Sequence, residues 1–133
     1  MYLEGDSCMV SNHSAGKGNR AVRNVFAVLA WLFTACVAVQ TLLAGAAVFH
    51  DPKFWRMHNT FVPMFEWLPL VMLILAFPGK FAASVKWSSA ALLVLIVLQY
   101  VTAGISGIGM LHTVIALFIF LLAYRTAAAS TRA

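Results

Sequence analysis

Four long apolar segments constrain this chain more than any other feature of its sequence. They predict helices over about residues 25–49, 59–77, 85–105 and 110–126. Most of them approach the roughly 20 residues that a helix needs to cross the hydrocarbon core of a bilayer. A span inside lipid must satisfy its own backbone hydrogen bonds, which favours helices. The sequence therefore predicts an all-α integral membrane four-helix bundle.

Composition excludes a soluble domain, because only 10% of the residues are charged and 62% are hydrophobic. Soluble domains carry roughly a quarter charged residues. The first apolar segment lies too deep and runs too long for a cleaved signal peptide, and no small-residue cleavage site follows it. A polar stretch rich in Gly, Ser and Asn precedes it and predicts a disordered tail over residues 1–22. The bundle is expected over residues 23–127, and residues 128–133 form a second short tail.

The net charge of +5 would suggest nucleic acid as a partner in a soluble protein, but here its distribution predicts orientation. Most basic residues flank the segments on one side: Lys17, Arg20, Arg23, Lys80, Lys86, Arg125 and Arg132. The other side carries only Lys53 and Arg56, offset by Asp51. The positive-inside rule then places both termini in the cytoplasm, with the protein in the inner membrane. We expect the lipid bilayer, and no nucleic acid, as a partner.

An internal repeat organises the chain. The motif Q-x-x-x-A-G begins at Gln40 and again at Gln99. Each copy ends an apolar segment, and a loop and a histidine follow it, His58 in the first copy and His112 in the second. The repeat predicts two tandem helical hairpins related by an axis along the membrane normal. Equivalent residues then lie across that axis, so the two histidines are expected to face each other.

Two imidazoles opposed across a helical bundle are natural axial ligands for haem iron. We therefore predict His58 and His112 as the metal ligands of a haem b. Arg56, with Lys53, could pair with the propionates. Small residues would leave room for the edge of the macrocycle: Ala44, Gly45, Ala103 and Gly104. Gln40 and Gln99 either contact the cofactor or form hydrogen bonds between helices.

Other chemistries remain as alternatives or are excluded. His50, Met57 and His58 could instead hold copper, since thioether and imidazole ligands suit it. The absence of H-E-x-x-H argues against a zinc protease, and no nucleophile elbow is present. We predict no catalytic residue. Glu66 is an acid at membrane depth, which marks either a function or a carboxyl hydrogen-bonded to Gln99 or Thr102.

The residues also resemble a known family. Gln99-x3-Ala-Gly followed by Leu111-His112 and an apolar span resembles a hairpin of the haem A synthases. The first hairpin, with Gln40 and His58, resembles the preceding hairpin of those enzymes more loosely. The layout is also similar to a small bacterial family of four-helix membrane proteins of unknown function. The resemblance implies a cytochrome b-like bundle holding haem b, but not synthase activity, because the chain has half the size of such an enzyme.

Three functions follow as hypotheses. The first is a membrane haem b protein for electron transfer or redox sensing, alone, as a homodimer or as a subunit of a larger membrane oxidoreductase, with quinone as a candidate partner. The second is a cofactor-free accessory subunit whose polar residues only hold helices together. The third is a small proton or solute transporter that uses Glu66.

Overall fold

The computed structural model describes the backbone of residues 5–132 and the side chains of residues 19–132. Within this part the chain forms α-helices and no strand. In chain order they are α1 (Gly5–Phe49), α2 (Phe54–Phe65), α3 (Leu68–Ala76), α4 (Ala83–Gly104) and α5 (Met110–Arg132). The predicted all-α fold is confirmed.

Four helical segments are long and apolar enough to cross a bilayer. They are Asn19–Phe49, Phe54–Ala76, Ala83–Gly104 and Met110–Arg132. We call them spans one to four, with α2 and α3 together forming span two. They correspond to the four helices that the sequence predicts, and they make the chain a multi-pass membrane protein.

The terminal helices extend beyond the predicted bundle. The backbone of α1 is helical from Gly5, through most of the stretch where the sequence predicts a disordered tail; residues 1–4 lie outside the described part. Adding a residue to an existing helix costs far less than starting one, which favours this extension. At the other end α5 continues to Arg132, and Ser130 is buried in the second predicted tail.

Span two is broken in the middle, as its two prolines predict. Helix α2 ends at Phe65 and α3 begins at Leu68. Pro69 has no backbone N–H and cannot donate to the carbonyl of Phe65, so the regular hydrogen-bond pattern fails there. Instead, the Trp67 carbonyl accepts hydrogen bonds from Leu70 at 3.1 Å and from Val71 at 3.2 Å. The break in span two is therefore the local effect of the proline.

The spans pack in a ring. Span one contacts spans two and four, and span three contacts the same two neighbours. Spans two and four therefore lie diagonally across the bundle, as do spans one and three. Since His58 belongs to span two and His112 to span four, this arrangement sets the two histidines on opposite sides of the bundle axis.

The core is concentrated toward one end of the bundle, which we call the terminal end because span one begins and span four ends there. Its fully buried side chains include Phe26, Phe33, Met72 and Leu92. The opposite end, which we call the histidine end, holds the loops at residues 50–53 and 105–109. Few side chains are buried at the histidine end. Among the described residues that lie closer to this end than Val37 and Phe65 do, the buried ones are Ala47 and Thr102.

A clamp joins α1 to the turn between spans two and three at the terminal end. The Arg23 guanidinium donates to the carbonyl of Gly79 at 3.1 Å and lies over the Phe81 ring, 4.6 Å from its centroid. The Phe26 ring packs on the same Phe81 ring at 4.4 Å. These contacts hold one end of the bundle firmly, and they leave the loosely packed histidine end as the place for a site.

Candidate haem-ligand site

The rings of His58 and His112 lie next to each other at the histidine end. Their centroids are 6.3 Å apart and their planes are inclined by 55°. His58 lies early in α2 and His112 is near the start of α5. Both side chains are half-buried. The structure thus brings together the two residues that the repeat in the sequence singles out.

Each imidazole is fixed by the same kind of hydrogen bond. Nδ1 of His58 lies 3.2 Å from the carbonyl oxygen of Gln40, and Nδ1 of His112 lies 3.1 Å from that of Gln99. A carbonyl oxygen can only accept, so Nδ1 must carry the hydrogen. In the neutral ring Nε2 then keeps its lone pair, and metal-binding histidines are typically held in this way.

The glutamine side chains add to the site unequally. The Gln40 amide donates to the carbonyl of His58 at 2.8 Å, so the two residues exchange two hydrogen bonds across spans one and two. The side-chain oxygens Oε1 of Gln40 and Gln99 are both buried without a hydrogen-bond partner. A buried acceptor left unpaired costs free energy. Both oxygens can accept a hydrogen bond from water or from a bound group.

The two glycines of the repeat are not enclosed by neighbouring side chains. A Cβ atom added at Gly45 or at Gly104 would meet no heavy atom within 4 Å, and Gly104 is exposed. Phe61 and Ile115, on the spans that carry the histidines, are partly buried and pack against the core. The surface of the bundle beside these glycines is therefore open, and the side chains on the inner side of the histidines are apolar.

The basic residues proposed to meet the propionates lie at the surface of this end. Arg56 is exposed two residues before His58, and its carbonyl accepts a hydrogen bond from the Thr60 hydroxyl at 2.8 Å. Lys53 lies 3.6 Å from the Asp51 carboxylate. An ion pair this exposed contributes little stability. Both cations are therefore free to turn toward another anion.

Trp55 is a neighbour of the site that sequence reasoning missed. Its ring packs edge-on against His58, with centroids 5.5 Å apart and planes at 81°. The signal was in the sequence, because residues three apart on a helix share a face. Trp55 thus helps to hold the orientation of the His58 ring from the side of the loop.

The copper alternative gains little from the structure. The ring of His50 packs on Phe54 at 6.0 Å, and Met57 is exposed. No group of three or more His, Cys, Asp or Glu side chains within residues 19–132 could hold a metal ion. A metal at the histidine end would therefore depend on the histidine pair, with its remaining ligands coming from a cofactor.

Glu66 has a partner different from those that the sequence suggested. The hydroxyl of Tyr100 donates to Oε2 of Glu66, whereas the Thr102 hydroxyl donates to the carbonyl of Leu98 at 2.9 Å within its own helix. The backbone carbonyl of Gln99 contacts His112. Sequence reasoning considered only Gln99 and Thr102 on span three, and Tyr100 lies on a different face of that helix.

Comparison with known proteins identifies a family and nothing more specific. A family of unknown function, DUF6220, has a model that matches residues 40–107. The match begins at Gln40, includes His58 and Gln99, and ends in the loop before His112. Neither the curated proteins nor the solved structures contain a significant match to the chain.

Proposed function

The chain belongs to the DUF6220 family, whose function is unknown, and we propose that it is a small membrane cytochrome holding one haem b between His58 and His112. The observation that carries the proposal is the pair of opposed imidazoles, each with Nδ1 fixed on a backbone carbonyl. The resemblance of the hairpins to those of haem A synthases supports the same cofactor.

The separation of the rings agrees with ligation of one metal. An imidazole nitrogen binds a transition metal at about 2 Å, so two imidazoles on opposite sides of one ion have ring centres roughly 6 Å apart. The observed 6.3 Å fits this value. Hydrogen bonds from Nδ1 to the carbonyls of Gln40 and Gln99 leave both Nε2 atoms as the ligand atoms.

The surroundings also fit the group. Gly45 and Gly104 have no heavy atom within 4 Å of an added Cβ, so neither position would obstruct the edge of the group, and partly buried apolar side chains would contact its faces. The unpaired Oε1 atoms of Gln40 and Gln99 would accept hydrogen bonds from water enclosed with it. Arg56 would pair with a propionate at the surface.

When bound, haem b supplies one-electron exchange between ferric and ferrous iron. The carbonyl partners of the histidines fix the ring orientations and raise the basicity of the ligand nitrogens. His58 and His112 would both be used as ligands of the bound metal, which would favour electron transfer or redox sensing over transformation of a substrate. The apolar walls limit access of water, and access of water is one of the factors that set a redox potential.

The proposal includes a location. Basic residues of the terminal end, among them Arg23, Lys80 and Arg125, support the arrangement with both termini in the cytoplasm of a cell whose inner membrane holds the protein. The histidine end would then face outward. Other membrane subunits, a second copy of the chain or quinone are the candidate partners for electron exchange.

The absorption spectrum of the purified protein tests the proposal directly. We expect a Soret band, a sharp band near the visible α region after reduction with dithionite, and a pyridine haemochrome typical of haem b. Expression in cells supplied with haem precursor ensures that the cofactor is not limiting. A folded, colourless protein that takes up no added haem would overturn the proposal, and its co-purification with large partners would favour an accessory subunit.

A further inference from the structure

The Glu66–Tyr100 pair is a polar contact inside two spans that the proposed haem site does not use. Glu66 lies in the break between α2 and α3, and Tyr100 lies in α4. The Tyr100 hydroxyl donates to Oε2 of the carboxyl. Ionisable residues inside spans are costly, and they generally face the bundle interior or a functional pathway.

This pair faces outward instead. Tyr100 is 52% exposed and Trp67, which follows Glu66 in the break, is 63% exposed; Glu66 itself is half-buried. We call these three residues the outer cluster. Its hydrogen-bonded Glu66 and Tyr100 lie between spans two and three, and Trp67 is the exposed residue next to Glu66, so a ligand dissolved in the membrane can reach Tyr100 without entering the bundle.

We propose that the outer cluster binds the head ring of a lipid-soluble quinol. Oε2 of Glu66 is used by Tyr100, and the second carboxyl oxygen, Oε1, can accept a hydrogen bond from a ring hydroxyl. The Trp67 and Tyr100 rings offer faces on which an aromatic ring stacks. This inference rests on the proposed function, because a membrane haem protein exchanges electrons with lipid-soluble partners; the proposal itself concerns binding of the quinol.

The depth and the connectivity of the cluster suit this ligand. Tyr100 lies four residues before the end of α4 at Gly104, which is about 6 Å along the helix axis. Its phenol contacts Glu66 near the middle of span two, so the cluster is reached from within the bilayer, where lipid-soluble quinols dissolve. Tyr100 also directly follows Gln99, whose carbonyl holds His112, so a bound ring would lie beside the helical turn that orients one haem ligand.

A second copy of the chain is a less suitable occupant. In a twofold dimer the same patch meets itself, and contact through the outer cluster would set the Glu66 carboxyl of one copy against that of the other. Two carboxyl groups that share a site disfavour each other's charged form. A quinol brings hydroxyl donors to the carboxyl and avoids this conflict.

Binding of a short-chain ubiquinol to the purified protein in detergent micelles tests the inference. We expect saturable binding by the wild-type protein, measured calorimetrically. Glu66→Gln and Tyr100→Phe should each weaken the affinity at least tenfold. Tyr124→Phe is the matched control, because Tyr124 is 48% exposed and packs against Trp31 away from the cluster; its affinity should equal that of the wild type.

Each other outcome has a definite meaning. Absent binding by the wild type, or equal loss in Tyr124→Phe, overturns the inference, since the quinol then only partitions into micelles. A change from dimer to monomer in Glu66→Gln with unchanged quinol affinity assigns the cluster to a second copy and overturns it as well. Tyr100→Phe removes one oxygen atom and keeps the test valid where Glu66→Gln fails to fold.

The haem spectrum separates this inference from the proposed function. A normal Soret band with no quinol binding contradicts the quinol site and supports the proposed cytochrome. A colourless protein that still binds quinol through Glu66 and Tyr100 supports the quinol site and contradicts the proposed cytochrome.

Discussion

The Nδ1 atom of His58 lies 3.2 Å from the carbonyl oxygen of Gln40. The same contact recurs in the second hairpin between His112 and Gln99 at 3.1 Å. The partners are 18 residues apart in the first hairpin and 13 in the second, so the loops differ in length while the contact is kept. Each histidine is therefore positioned by packing of its helix on the preceding helix. The loop only has to span the distance between the two helices.

If the proposed function holds, replacement of either site histidine should abolish haem binding. In His58→Ala and His112→Ala one axial ligand and its hydrogen bond to a carbonyl are lost, so we expect less than about a tenth of the wild-type Soret absorbance per protein, given that one ligand bond contributes well over 1.4 kcal/mol. His50→Ala is the matched control, because His50 is exposed and packs on Phe54. Equal loss of colour in the control would contradict the assignment.

Replacement of Gln40 should distinguish the role of its side chain from that of its backbone carbonyl. Gln40→Leu removes the amide hydrogen bond to the carbonyl of His58 but keeps the carbonyl that holds the ring. We expect haem content near that of the wild type and a free energy of unfolding lower by about 1 kcal/mol, typical of a hydrogen bond between helices in lipid. Haem content and thermal denaturation are measured on the same samples. Complete loss of haem would instead show direct contact of the amide with the cofactor.

The sequence predicts the features that repeat or that depend on a long stretch of residues. Hydropathy over whole segments predicts four spans, since one residue more or less changes little. The Q-x-x-x-A-G repeat predicts that His58 and His112 meet, because duplicated hairpins place equivalent residues at equal depth. Pro63 and Pro69 predict the break in span two, because a proline lacks the N–H that a helical hydrogen bond needs, and this effect does not depend on the surrounding helices.

Features that depend on tertiary geometry were not predictable in the same way. Glu66 contacts Tyr100 because the break in span two turns Glu66 toward α4. The size of this turn cannot be read from the periodicity of either span. Neither does the sequence show that the core lies mainly at the terminal end, because apolar residues fill both ends alike. The contact between Trp55 and His58, by contrast, could have been predicted from helical spacing.

An alanine at Gly79 should destabilise the terminal end. A Cβ atom there would lie 2.8 Å from the Phe81 ring and 3.0 Å from the carbonyl of Leu75, so the ring that carries the Arg23 contact must move. Overpacking of this kind costs about 1–3 kcal/mol. Gly45→Ala is the control, because its Cβ meets nothing within 4 Å. Denaturation by dodecyl sulfate should show a lower midpoint for Gly79→Ala alone, and an unchanged midpoint would contradict the packing around Phe81.

Packing rather than hydrophobic transfer should decide the effect of core truncations. Leu92 is fully buried in α4, whereas Leu42 in span one is 70% exposed. Lipid is as apolar as leucine, so Leu42→Ala should leave the free energy of unfolding within about 0.5 kcal/mol of the wild type. Leu92→Ala leaves a cavity and should lower it by about 2 kcal/mol, the lower end of the range for such truncations. Because Leu92 lies toward the terminal end, the Soret maximum should stay unchanged in both variants. Equal destabilisation by the two truncations would mean that Leu42 faces a partner subunit rather than lipid.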